Sequence, residues 1–254
     1  MKKVALVTGG SSGIGRAVVH LFEGNGWKGR SFSRREGVDI TDAAAVSAAV
    51  KRLVDEEGRI DVLVNNAGIG VFGAAEETSI DEVRRLMDVN FVAATSIVQK
   101  VLPQMRKQGG GRIVNIASLA AAFPLPYQSF YSASKAALLA WTRALDGEVS
   151  RFGVRAVAVC PGDVRTGFTD ARTRSGEASS SCYAAQVDRA LEMASKSERG
   201  GQTPEKIAKC VYSCATAKRP PLVVTPGAGL AWLERVSRVL PRSLVSKLVE
   251  RIYA

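Results

Sequence analysis

Val4-Ala5-Leu6-Val7-Thr8-Gly9-Gly10-Ser11-Ser12-Gly13-Ile14-Gly15 decides how the chain folds. Its first part is short, apolar and β-branched, which predicts a strand from Lys3 to Thr8 buried on both faces. Glycines and serines follow, and then a helical pattern from Arg16 to about Glu23. Strand, glycine turn and helix is the context that a phosphate-binding turn requires. Glycines let the backbone approach a pyrophosphate closely. The helix start offers free N–H groups and a positive dipole end. The spacing is G-x-x-x-G-x-G rather than G-x-G-x-x-G. A plain flexible turn is the bland alternative. The position at the first strand–helix junction favours a nucleotide site built from Gly9, Ser11, Ser12, Gly13, Ile14 and Gly15.

Further along, strands and helices alternate. Strands are expected at Lys28–Ser33, at Val38–Asp42 ending in a helix cap, at Asp61–Val64, at Gly111–Ser118, at Val154–Cys160 and at Leu222–Thr225. Helices are expected at Ala43–Glu57, stopped by Gly58, and at Ser79 to about Gln108, broken or bent near Pro103. Others are expected around Tyr131 and from Thr203-Pro204-Glu205. This order predicts an α/β, doubly wound, Rossmann-type fold with a parallel sheet of about seven strands and helices on both faces. Ligands of such sheets bind at the carboxyl ends of the strands. The glycine turn, Asn65-Asn66-Ala67-Gly68, Ser118 and Pro161-Gly162 all fall at such ends, on one edge of the sheet.

Composition narrows the class. The chain has 254 residues, 46% of them hydrophobic, enough for a sizeable core. Val4–Val7 is too short for a signal-peptide core, and no apolar run is long enough to cross a membrane, so a cytoplasmic protein is expected. Cys160, Cys182, Cys210 and Cys214 are expected to be reduced thiols. Cys210 and Cys214 could share a helix face, but the only histidine, His20, is remote, and no metal site is expected. The net charge of +11 is scattered, without a dense basic run, so nucleic acid is not expected as a partner.

Ser129-Phe130-Tyr131-Ser132-Ala133-Ser134-Lys135 carries the chemistry. Tyr131 and Lys135 are four residues apart and share a helix face. A phenol ordinarily titrates near 10 and moves protons poorly at neutral pH. A cation beside it favours the phenolate and lowers that value. At the end of the second strand an NAD site would carry an acid about 20 residues past the glycines. Ser33 stands there, followed by Arg34 and Arg35. A guanidinium fork suits a 2′-phosphate, which argues for NADP; Arg35 also reads as a solvated loop charge. Asn90 falls inside a helix, where a satisfied polar group is the ordinary reading.

Together these pieces resemble the short-chain dehydrogenase/reductase family, from Lys3 to about Thr166 and more loosely beyond. Thr8-Gly9-x-x-x-Gly13-Ile14-Gly15 is similar to its cofactor turn, and Asn65-Asn66-Ala67-Gly68 to its sheet-stabilising motif. Ser118 stands thirteen residues before Tyr131, as in its catalytic set with Lys135 and Asn90. Pro161-Gly162-Asp163-Val164-Arg165-Thr166 resembles the segment holding the nicotinamide carboxamide, with Val164 and Thr166 as contacts. Ser33-Arg34 matches the NADP-type strand ending, and Asp39-Ile40 the pair beside the adenine. The resemblance implies hydride transfer between NADP(H) and a carbonyl or alcohol. Tyr131 would be general acid/base and Ser118 would hold the carbonyl oxygen. Lys135 would lower the Tyr131 pKa and bind the ribose, and Asn90 would hold a relay water. Asn66, Ala67 and Gly68 would also contact the cofactor.

The chain is expected to be one domain over 1–254. Residues 165–201 read as polar, irregular and mobile, and as the substrate lid by family analogy. Residues 228–254 read as two amphipathic helices. Docking on the domain or on a partner subunit is the first reading of these helices; a lipophilic substrate wall or contact with an anionic lipid surface is the functional one. The tail resembles family branches acting on steroids, retinoids and acyl lipids, which points to a hydrophobic substrate. A homodimer or homotetramer is expected by analogy. The alternatives are an NADP(H)-binding regulatory or scaffold protein on the same fold, and a 3-oxoacyl reductase.

Overall fold

The computed structural model describes residues 2–168, 172–175, 181–237 and 239–253. The main sheet holds β1 (Val4–Thr8), β2 (Lys28–Phe32), β3 (Val62–Asn65), β5 (Gly111–Ile116), β6 (Val154–Val159) and β8 (Val223–Val224). They run in the order β2-β1-β3-β5-β6-β8, all parallel. A second, two-stranded parallel pair joins β4 (Val71–Phe72) to β7 (Thr173–Arg174). The order reverses beside β1, so β1 and β3 lead away from each other at their carboxyl ends and leave a crevice there.

Each strand of the sheet centre is apolar on both faces because helices cover both. Val4 and Leu6 of β1 pack with α2 (Ala43–Glu57), α4 (Ala93–Lys107) and α5 (Ser129–Val149). Ala5 and Val7, the alternate residues, pack with α1 (Gly13–Gly24) and α7 (Pro204–Thr216). That two-sided burial explains why β1, β3 and β6 read as runs rather than alternations.

Three departures from the sequence reading have local causes. Val38–Asp42 is not a strand, which is why the main sheet has six. Asp39 accepts from the backbone and hydroxyl of Thr41 at 2.9 and 2.7 Å, and Asp42 caps α2 through Ala44 N and Ala45 N. Two Asx-type bonds in succession bend the chain instead of extending it. The helical path over 79–108 runs through Pro103; its irregularity comes earlier, where a π turn at Asp88–Val92 separates α3 (Ile80–Met87) from α4. Residues 165–201 are not wholly irregular: Ala184–Arg199 form α6, buried along Val187, Ala190 and Ala194. Two of those three residues are alanines, so the helical stripe is faint in the sequence. The residues 169–171 and 176–180 of the expected lid lie outside those described. α8 (Ala228–Ser237) and α9 (Arg242–Tyr253) form the expected helical tail.

Beneath the crevice, a buried polar chain crosses the sheet to α5. Asn65 donates to Asn115 Oδ1 at 2.9 Å, Asn115 to Thr142 Oγ1 at 2.8 Å, and Thr142 to the Leu138 carbonyl at 2.6 Å. Buried polar groups favour arrangements that pair them, and these bonds hold α5 against β3 and β5.

Candidate active site

The crevice opens into one cavity of about 1270 Å³. Its floor begins at the glycine turn. Gly9 and Gly13 have φ of +65° and +49°, which other residues rarely adopt. A Cβ on Gly15 would lie 2.3 Å from the Gly9 carbonyl oxygen, so α1 starts against the turn only with glycine there. Ser12 at the N-cap makes no side-chain capping bond, and the first turn carries no acid. An uncapped, acid-free helix start beneath a glycine cradle fits a pyrophosphate. Asn66 ties the neighbouring turn in place. Its side chain donates to the Thr8 carbonyl at 2.9 Å, and Thr8 Oγ1 accepts from Asn66 N and Ala67 N at 2.9 and 3.0 Å.

The remaining expected cofactor residues gather around the same space. Ser33, Arg34, Asp39 and Ile40 line one end, and Pro161, Gly162, Val164 and Thr166 the other. Thr166 also faces Gly13 across the turn. One residue was missed. Glu36 accepts from the hydroxyls of Ser31 (3.2 Å) and Ser33, so a carboxylate engages the side chain expected to greet a phosphate. Arg34–Glu36 form a single 3-10 turn, which brings the acid back beside the strand end.

α5 brings Tyr131 and Lys135 into the cavity that Ser118 also lines. Ser118 lies beside the Tyr131 phenol and accepts from Ala120 N at 3.1 Å. Burial pushes the Tyr131 phenol above its ordinary value; the Ser118 hydroxyl and the Arg172 charge pull it down by less. Lys135 is 4% exposed and donates to the Ile116 carbonyl at 3.0 Å. Burial lowers its ammonium from 10.5 to about 8. Its Nζ stands 5.9 Å from the centre of the Tyr131 ring. The expected lowering of Tyr131 by Lys135 is therefore not found among the chain's own charges. Desolvation opposes ionisation of both groups, and the phenol stays protonated.

Asn90 does not line the cavity. It is 1% exposed, on the π turn, where its Oδ1 accepts from Ile69 N at 2.8 Å. Its Nδ2 donates to Ile69 O and Ser134 Oγ, both at 3.0 Å, and Ser134 donates to the Tyr131 carbonyl at 2.7 Å. The π turn is a local underwinding of the kind that aims one side chain off the regular helix face. Gly68 lies directly above, where a Cβ would meet Asn90 Oδ1 at 3.1 Å and Lys135 Nζ at 3.4 Å.

Two further cavity residues carried no sequence signal. Arg172 stacks between the rings of Phe72 and Phe168, 5.1 and 5.0 Å from their centres, and pairs with Glu198 of α6. Phe168 stands 6.0 Å from Tyr131, centre to centre. Leu230, Leu233, Leu240, Val245 and Val249 of the helical tail complete an apolar wall.

A family model described as short chain dehydrogenase matches residues 36–177. The chain belongs to that family and is an oxidoreductase with dehydrogenase or reductase activity. The 3-ketodihydrosphingosine reductase of Bacteroides thetaiotaomicron is 35% identical over 264 residues, 99% of this chain and 98% of that protein. A solved short-chain dehydrogenase from Streptomyces avermitilis superposes with a TM-score of 0.85 at 30% identity, covering 98% of this chain and 96% of that one. ElxO with NADP bound superposes at 0.75 with 25% identity, covering 91% and 99%.

The buried Lys135 gives a stability prediction. With its value lowered to about 8, the unfolded chain binds the proton more tightly than the folded one. The cost is fully present below about pH 8 and is relieved as pH rises towards 10.5. At its largest it is about 3 kcal/mol. Lys135→Met, measured by urea unfolding without added nucleotide, should gain about 1–3 kcal/mol at pH 7, with the lost Ile116 bond offsetting part, and much less near pH 10. A variant less stable than the parent at pH 7 would contradict the burial cost.

Proposed function

We propose that the chain reduces, with NADPH, a ketone carried on a long apolar chain, with 3-ketodihydrosphingosine as the model substrate. The observation that carries this reading is one cavity joining the glycine turn, the Ser118–Tyr131–Lys135 wall and the apolar face of α8 and α9. The relative named for that substrate matches 99% of the chain, helical tail included.

Bound NADPH supplies the hydride. The chain's residues do the rest. Gly9 to Gly15 take the pyrophosphate, Asp39 and Ile40 flank the adenine, and Pro161 to Thr166 hold the carboxamide end. Tyr131, kept protonated by burial, gives its proton to the carbonyl oxygen. Ser118 holds that oxygen as it gains charge. Lys135 holds the ribose and passes a proton to Tyr131 from a water held near Asn90. The bonds from Asn90 through Ser134 to the Tyr131 carbonyl support this role by steadying the turn of α5 that bears the acid.

Arg34 and Arg35 at the cavity end support NADPH. Glu36, drawn to Ser31 and Ser33, favours a second reading, in which NADH is used. Arg34→Ala separates them. For an NADPH enzyme its Kd for NADPH rises about 10–100-fold while that for NADH moves less than about threefold. Equal changes would contradict the phosphate role. Tyr131→Phe should lower turnover about 10²–10⁴-fold and leave NADPH binding, read by fluorescence titration, nearly unchanged. Turnover that survives this change would remove Tyr131 as the acid.

A further inference from the structure

Five of the eight exposed large apolar side chains among the described residues fall between 232 and 244: Trp232 (66% exposed), Leu233, Val239 (82%), Leu240 and Leu244. Scattered singly, such residues need no account, but gathered in one helical hairpin they mark an interaction surface. The two helices are divided by face. Leu230, Leu233 and Ser237 of α8, three and then four residues apart, line the cavity, as do Val245 and Val249 of α9. Trp232 with Arg235, and Leu244 with Lys247 and Arg251, have the same spacing on faces exposed to solvent. The outward face of α8 thus pairs Trp232 with a cation one turn on, and that of α9 pairs Leu244 with cations one and two turns on. Leu233 and Leu240 belong to both surfaces, since they line the cavity and are 47% and 38% exposed. The apolar patch therefore runs unbroken from solvent into the cavity that holds Tyr131.

We propose that this hairpin docks the enzyme on an anionic lipid surface, with the cavity mouth facing the bilayer. Charge selects this occupant over a second copy of the chain. Residues 228–254 carry five cations (Arg235, Arg238, Arg242, Lys247, Arg251) against Glu234 and Glu250. Two such positively charged segments repel each other, whereas an anionic bilayer attracts both the cations and, at headgroup depth, the indole of Trp232. An amphipathic helix of this composition lies in the plane of the interface with its apolar side chains a few ångströms deep. The molecule as a whole, at +11, adds long-range attraction of the same sign. Docking does not depend on the reductase reading. Only its use does: a chain-bearing ketone would pass from bilayer to cavity along Leu233 and Leu240 without crossing water.

The test is co-sedimentation of the full chain with vesicles of phosphatidylcholine alone, or with about one third phosphatidylglycerol, at about 0.1 M salt. The proposal expects at least about tenfold stronger partition to the anionic vesicles, lost at about 0.5 M salt. The double variant Trp232→Ser, Val239→Ser should partition about tenfold less, with an unchanged unfolding midpoint and unchanged turnover of a water-soluble ketone. Neither residue lines the cavity. Equal partition to both vesicle types, or a variant that binds as the parent does, would overturn the proposal. So would a dimer, seen by light scattering, that the double variant dissolves, since the face would then belong to a second copy. Because partition is read without turnover, failure of the reductase assay and failure of docking are separate results.

Discussion

The backbone crossing at Gly15 is the constraint on which the site rests. The Gly9 carbonyl, the Asn66 amide and the first turn of α1 meet where no β-carbon fits. This close approach lets α1 start at the carboxyl edge of β1 with its N–H groups uncapped and turned to the crevice. It also presses the turn after β3 onto the end of β1 through Thr8, whose hydroxyl accepts from two successive backbone N–H groups. The sheet order then sets the remaining strand ends, with Asn66, Ser118 and Pro161, beside that point.

A second constraint acts from below. The chain of amides from Asn65 through Asn115 to Thr142 ties α5 to the sheet centre. α5 presents Tyr131 and Lys135 on one face, and the Asn90–Ser134 bonds hold its first turn from the side. Burying an ammonium there costs stability, so Lys135 is better explained by what it does than by what it holds together. Sites that bind charge in a dry setting commonly carry such a cost.

The sequence made the fold readable where burial is two-sided and glycine is obligatory. β1 and β3 are apolar up to their last residue, β5 and β6 are apolar apart from Gly111, Arg112, Asn115 and Arg155, and the glycine turn stands at a strand–helix junction that needs it. It was less readable where side chains bond their own backbone. Val38–Asp42 has strand-like residues, but Asp39 and Asp42 turn it into a cap. α6 was hidden because half of its buried stripe is alanine. Within the site, motif spacing located Ser118, Tyr131 and Lys135, since a helix turn and a strand end leave little freedom. Glu36 and Arg172 were missed for another reason. Their positions depend on a 3-10 turn and on stacking between Phe72 and Phe168, contacts that no local pattern announces.

The proposed substrate lies along the apolar wall of α8 and α9, next to Tyr131. The most direct measurement is NADPH oxidation with a series of 3-keto compounds that differ only in chain length. If the chain lies along that wall, each added methylene lowers KM by about three- to fourfold, as burial of about 0.8 kcal/mol per CH₂ requires, with kcat nearly constant until the wall is filled. A KM that does not change with chain length, with turnover intact, would show that the wall is not where the substrate binds.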